Sequence, residues 1–165
     1  MKKMRLIFCV AALVLFSTSY GQNEKVKALF IYNFTNYIDW PGRSGGSFVI
    51  AVLGESPIIG ELQAVAKMKK VGTSSIEIKK VGSVAEIGNS QIVFLPLQKK
   101  KSLPELSQAL AGKPILIVSD GASGDFGINF IEDAQKQLFQ ISKSNIESHK
   151  LKVNATLITL GIAVK

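Results

Sequence analysis

The chain has 165 residues and carries 20 lysines and arginines against 12 aspartates and glutamates, a formal net charge of +8, with one histidine and one cysteine. His149 and Cys9 alone cannot supply a clustered metal site or a nucleophile–base–orienter arrangement, so the sequence points to no catalytic residues, no metal and no cofactor. The basic residues gather as Lys67/Lys69/Lys70, Lys79/Lys80 and Lys99/Lys100/Lys101 without interleaved aromatics; they read as solvated loop and helix ends or as attraction to an acidic partner or anionic surface, not as a nucleic-acid face.

In chain order, Lys2, Lys3 and Arg5 precede an apolar run, Leu6–Phe16, and then Ser17-Thr18-Ser19-Tyr20-Gly21. That is the charged, apolar and small-residue order of a secretory signal peptide. Ser19 and Gly21 suit the third and first positions before a cut, which places cleavage between Gly21 and Gln22. Eleven apolar residues fall short of the roughly 20 that span a bilayer, so the mature chain is expected to carry no membrane span. Cys9 leaves with the leader, and the formal charge falls to +5. The remaining 144 residues, Gln22–Lys165, suit one domain, which at that size buries about two thirds of its unfolded surface and needs no disulfides.

Lys25–Trp40 reads as an amphipathic helix, with Val26, Phe30, Phe34 and Tyr37/Ile38 on its apolar stripe, Leu29 widening it, and Pro41 stopping it after Trp40. Five of the 13 aromatics, Phe30, Tyr32, Phe34, Tyr37 and Trp40, lie in this stretch, so it demands a large apolar surface opposite. Gly42–Ser47 is a flexible connection, and Phe48–Leu53 is a strand buried on both faces. Gly54–Ser56 leads to a second helix with Pro57 at its first position and Ile58, Leu62 and Val65 on its inner edge. Ile76–Val81 alternates as a half-exposed strand, and Ile92–Leu95 is another buried one.

Ser102-Leu103-Pro104-Glu105 has capping-box spacing ahead of a helix carrying Leu103, Leu106 and Leu110 and ending at Gly112. Ile115–Val118 is the third apolar strand, followed by a polar loop, Ser119–Asp125. Gly127–Ile131 and Gln137–Ile141 form a hairpin joined by Glu132–Lys136. Ser144–Glu147 reads as the cap of a short helix, and Val153, Leu157, Leu160 and Val164 as a closing helix of weak intrinsic propensity. The fold expected is a single α/β domain: a mixed, mostly parallel sheet with flanking helices and an antiparallel edge hairpin.

Few residues invite chemistry. Gly121–Gly127 follows a strand but enters another strand, so no helix N-terminus receives a phosphate there. The Gly54–Ile58 loop does precede a helix but lacks a lysine or a Walker pattern. Asp120 sits just past a buried strand, where α/β folds place functional loops, or simply accepts backbone N–H bonds. Asn129 is either a paired buried amide or points out of the sheet. Phe126 reads as core, and Trp40 either closes the core or forms a ligand platform.

Taken together, the leader, KALFIYNFTNYIDWP at Lys27–Pro41, FVIAVLGESP at Phe48–Pro57, ILIVSD at Ile115–Asp120, INFI at Ile128–Ile131, LFQIS at Leu138–Ser142 and Asn145–Leu160 resemble the YfiR-like family of exported bacterial proteins. The resemblance implies a periplasmic regulator without enzymatic activity. It would hold the periplasmic part of a membrane-bound diguanylate cyclase inactive, with effects on cyclic-di-GMP and biofilm, and would self-associate. Relatives of this kind carry cysteine pairs that the mature chain lacks, so redox control does not transfer. The approach to INFI, Asp125-Phe126-Gly127, also departs from the glycine-rich pattern. The candidate partner-binding residues are Asp120, Phe126, Asn129 and Trp40, chosen because loops past buried strands are free to carry function. The reading from another class is a periplasmic small-molecule binding protein with its crevice beside Asp120.

Overall fold

The computed structural model describes residues 18–134 and 136–164; most of the leader lies outside them. Helix α1 spans Thr18–Phe34 and so ends six residues before Trp40. The N–H groups of Thr35, Asn36 and Tyr37 donate to the carbonyls of Tyr32, Asn33 and Phe34, each at 3.0 Å. These short-range bonds tighten the last turn and turn the chain away. Ile38–Asp39 (β1) then pairs antiparallel with Lys152–Val153 (β9). Pairing with a distant segment, rather than Pro41, decides where the helix stops. The buried stripe is also rotated from the expected one: Lys27, Ala28, Ile31 and Phe34 are buried, Phe30 is half-buried, and Leu29 faces solvent.

β2 (Phe48–Leu53) is an interior strand of the sheet and is buried along most of its length, as an apolar run in a parallel sheet should be. α2 (Ile58–Met68) follows, with Ile58, Leu62 and Val65 inside. A short β3 (Lys70–Val71) turns antiparallel into β4 (Ser74–Val81), which lies parallel to β2. β5 (Ile92–Leu95), α3 (Leu103–Leu110) and β6 (Leu116–Asp120) extend the sheet on the other side of β2. β7 (Ile128–Asp133) adds parallel to β6, and β8 (Lys136–Ser142) returns antiparallel. α4 (Lys143–Ser148), β9, α5 (Ala155–Leu160) and β10 (Ile162–Val164) complete the chain. The spatial order of the eight-stranded sheet is β10-β8-β7-β6-β5-β2-β4-β3. The expected α/β domain with a mostly parallel sheet and an antiparallel hairpin is therefore what forms, with β10 pairing parallel outside the hairpin.

Alternate residues of each strand feed two cores. Phe48, Ile50, Val52, Phe94, Val118 and Phe130 meet α1 and α2 on one face. Ala51, Leu53, Val93, Leu95 and Ile117 meet α3 on the other, through Leu103, Leu106 and Leu110. This two-sided covering is why the central strands carry no polar alternation.

Two cap readings change, and the closing helix is shorter than its apolar spacing suggests. Ser102 does not cap α3, because Leu97–Ser102 already winds as a 3-10 helix and Ser102 has φ −82° and ψ 0° instead of an extended cap conformation. α4 is capped by Ser142, whose hydroxyl accepts from the Asn145 N–H, and Ser144 lies inside the helix. The closing helix is short: Asn154 caps it, accepting from Thr156 N–H at 2.8 Å, and Gly161 ends it. A Cβ at Gly161 would overlap the Phe139 ring, so glycine there lets the chain cross β8 and continue as β10.

Candidate functional site

After β2 the chain crosses through α2 to β4 on one side; after β5 it crosses through α3 to β6 on the other. β2 and β5 are neighbours, so their C-terminal ends diverge and leave a crevice at the point where the winding direction reverses. That is where open α/β sheets hold ligands. The crevice has a volume of about 350 Å³ and is walled by Ser56 and Pro57 after β2, Leu97 and Gln98 after β5, Asp120 at the end of β6 with Gly121 after it, and Glu24 and Lys27 of α1. Gly121 has φ +63°, and a Cβ there would come within 2.9 Å of Leu97 Cδ1. Its missing side chain lets Leu97 sit across the crevice rim.

Lys27 is the unusual group. It lies on the buried side of α1, with its side chain 9 % exposed, and its ammonium donates to Asp120 Oδ2 at 2.7 Å and Glu24 Oε1 at 3.1 Å. Burial on its own would push the lysine pKa down. The hydrogen bond and charge of Asp120, followed by those of Glu24, outweigh it and hold Lys27 above its ordinary value. The ammonium therefore stays charged through the neutral range and ties α1 to the end of β6. Sequence reading missed Lys27, although a cation in line with Ile31 at helical spacing was the signal for it.

The four candidate residues do not converge. Asp120 ends β6 with 18 % of its side chain exposed and is engaged by Lys27 on the α1 face; it is not a loop carboxylate capped by backbone. Asn129 is the paired buried amide: its Oδ1 accepts from Ser119 Oγ at 2.9 Å and Ala122 N–H at 3.0 Å, and its Nδ2 donates to Gln140 Oε1 at 2.9 Å. Phe126 is buried on the α3 side, its carbonyl accepting from Asn145 Nδ2 at 3.1 Å. Side chains this buried offer a partner no surface unless the loop opens. Trp40 lies at the opposite, N-terminal end of the strands, half-buried, donating from Nε1 to the Gln91 carbonyl at 3.0 Å and meeting Phe48 edge-on at 5.0 Å. His149 is also buried, with Nδ1 3.1 Å from the Lys113 carbonyl; a carbonyl only accepts, so that nitrogen carries the proton.

A second concavity, of about 330 Å³, lies between the C-terminal half of α1, β8 and the α5–β10 corner. Phe30, Phe34 and Phe139 form its floor, their rings 5.1–6.2 Å apart, with Leu157 beside them. Leu160 and Ile162 form its rim and are 62 % and 47 % exposed. These exposed aliphatic side chains beside an aromatic floor make the hollow apolar where it meets solvent. Asn33, Asn36 and Gln137 add polar groups at the edge. Among the described residues no His, Cys, Asp or Glu group is arranged to hold a metal ion, and no helix is long and apolar enough to cross a membrane.

The strand order and crossovers define a doubly wound α/β domain with an aromatic helix, α1, packed on one face. The family model described as YfiR/HmsC-like matches residues 24–162, and the chain belongs to that family. The search of curated proteins finds no match.

Proposed function

We propose that this protein is a non-enzymatic periplasmic regulator that binds the periplasmic part of a membrane-bound signalling protein, a diguanylate cyclase whose output is cyclic-di-GMP. Membership of the YfiR/HmsC-like family supports the class. The observation that carries a binding role is the apolar rim of Leu160 and Ile162 over the Phe30–Phe34–Phe139 floor. Interface hot spots have this form, an apolar pocket that takes a large anchor and is ringed by polar groups. The contact is placed here because Phe126 and Asn129 of the original candidate loop are buried. Asp120 and Trp40, both partly exposed, lie away from it.

The test uses Leu160→Asp and Ile162→Asp, both at exposed positions where a substitution usually shifts stability by no more than about 0.5 kcal/mol. Capture of the cyclase's periplasmic portion should fall about tenfold or more for either variant, as for loss of a hot-spot residue. Cellular cyclic-di-GMP should rise as in a deletion strain. Equal capture by folded variants would move the contact elsewhere, and an unchanged cyclic-di-GMP level on deletion of the gene would remove the cyclase from the proposal.

A further inference from the structure

At the N-terminal ends of the strands, the far end from the Asp120 crevice, lies a cavity of about 400 Å³. One wall is the tight turn Trp40-Pro41-Gly42-Arg43. The Arg43 N–H donates to the Trp40 carbonyl at 3.2 Å, and Gly42, at φ +80°, takes the left-handed position that follows proline in such a turn. Asn89–Gln91, leading into β5, and Lys113–Ile115, leading into β6, line the rest. Arg43 has no counter-ion. Its Nη2 donates to two neutral acceptors, Ser74 Oγ at 2.7 Å and the Gly46 carbonyl at 3.2 Å, and its guanidinium carbon stands 5.3 Å from the centroid of the Phe48 ring. Its Nε is buried with no acceptor at all. Among the described residues neither Arg43 nor Lys113 makes an ion pair, and no aspartate or glutamate lines the cavity. Buried donors are almost always satisfied, and a charge drawn partly out of water is normally paired. Here both rules are broken at one residue, beside a second cation.

We propose that this cavity binds a small organic anion, a carboxylate on a compact apolar body. A carboxylate oxygen accepts from the Arg43 Nε, the bond that the fold leaves unmade, and charge-assisted bonds of this kind are among the stronger ones. Lys113, exposed beside the cavity, supplies the second positive charge. The apolar body lies against Trp40 and Pro114. An inorganic ion would fill only a small part of the space and leave that wall bare, whereas cavities of roughly 300–1,000 Å³ with apolar walls and a few placed polar groups suit organic ligands. A cation is repelled by both basic residues. A zwitterion such as an amino acid would bring an ammonium for which no lining carboxylate is present. The inference does not depend on the identity of the membrane partner.

The experiment titrates protein purified from the periplasm with sodium cyclohexanecarboxylate at constant ionic strength, following melting temperature and tryptophan emission. Trp40 is the single tryptophan of the chain, so the emission reports on this cavity. Cyclohexylmethanol and inorganic phosphate are the controls for charge and for the apolar body. The expected result is saturable binding of the carboxylate, with Kd of about 1 mM or tighter, and at least tenfold weaker binding of either control. Lys113→Gln, at an exposed position, should weaken the carboxylate by about two- to fivefold, the range for an exposed charge pair. Arg43→Gln should weaken it by about tenfold or more. If that protein melts early through loss of the Ser74 and Phe48 contacts, the Lys113 variant decides. Absence of saturation up to roughly 100 mM, as for a cavity that takes water alone, or unchanged affinity in the Lys113 variant overturns the proposal. Equal affinity for the alcohol overturns the anion assignment, and equal affinity for phosphate overturns the organic body.

Discussion

At the scale of single residues, Lys27 and Phe34 carry the most weight on α1. Lys27→Met would leave Asp120 and Glu24 facing each other without their cation. Removing one partner of a buried pair costs about 3–5 kcal/mol, and the 18 % exposure of Asp120 sets the expectation near 3 kcal/mol, measurable by urea unfolding at neutral pH. Because the folded-state pKa of Lys27 is raised, its contribution is complete below the pH where an unfolded lysine titrates. It is lost as pH climbs through the higher folded value. The stability gap between wild type and Lys27→Met should therefore narrow at strongly alkaline pH; a gap that widens there would contradict the ion-pair account. Phe34 is fully buried against Phe130 and Phe139 at ring distances of 6.0 and 5.1 Å. Phe34→Ala should cost about 3–5 kcal/mol, which is a large part of a typical total of about 5–15 kcal/mol, and an unchanged melting temperature would show that this face is not core.

At the scale of elements, the closing segment decides the shape of the apolar rim. Gly161 separates α5 from β10, and its missing Cβ lets the backbone pass over Phe139. Gly161→Ala has to push that ring or the strand aside, at a cost of about 1–3 kcal/mol for overpacking. The exchange of the β10 amides with solvent should speed up before those of β2, since β10 has three residues and one neighbouring strand. Uniform protection across both strands would show that β10 is fixed by more than its pairing to β8. The same corner explains why a continuous closing helix does not form: Thr156, Ile158, Thr159 and Ile162 lose side-chain freedom in a helix, and a strand edge at β8 offers the last three residues backbone partners.

At the scale of the whole molecule, the sheet carries a polar, charged crevice at the ends of the parallel strands and an apolar hollow by the hairpin. α1 contributes to both, through Glu24 and Lys27 to the first and Phe30 and Phe34 to the second. The chain is also expected to reach the periplasm by loss of its leader. Protein recovered there should have an intact mass beginning at Gln22. With Cys9 removed, its melting temperature should not respond to reductant; a fall on adding dithiothreitol would show that the leader and its Cys9 are retained.

The sequence by itself determined the elements whose environment is uniform. Phe48–Leu53 and Ile92–Leu95 are apolar throughout because both faces of a parallel strand are covered, and the inner edges Ile58/Leu62/Val65 and Leu103/Leu106/Leu110 follow from helical period alone. The buried amide of Asn129 was legible as one of two choices, and the sheet selected it through Ser119, Ala122 and Gln140. What depended on distant partners was decided only by the tertiary structure. Pairing of Ile38–Asp39 with Lys152–Val153 ended α1 early, and a 3-10 helix removed the cap of Ser102. The candidate site was less legible than the fold for the same reason. Lys27 and Asp120 stand 93 residues apart in sequence and 2.7 Å apart in space, and no local pattern encodes a contact that exists only once the helix has docked on the sheet.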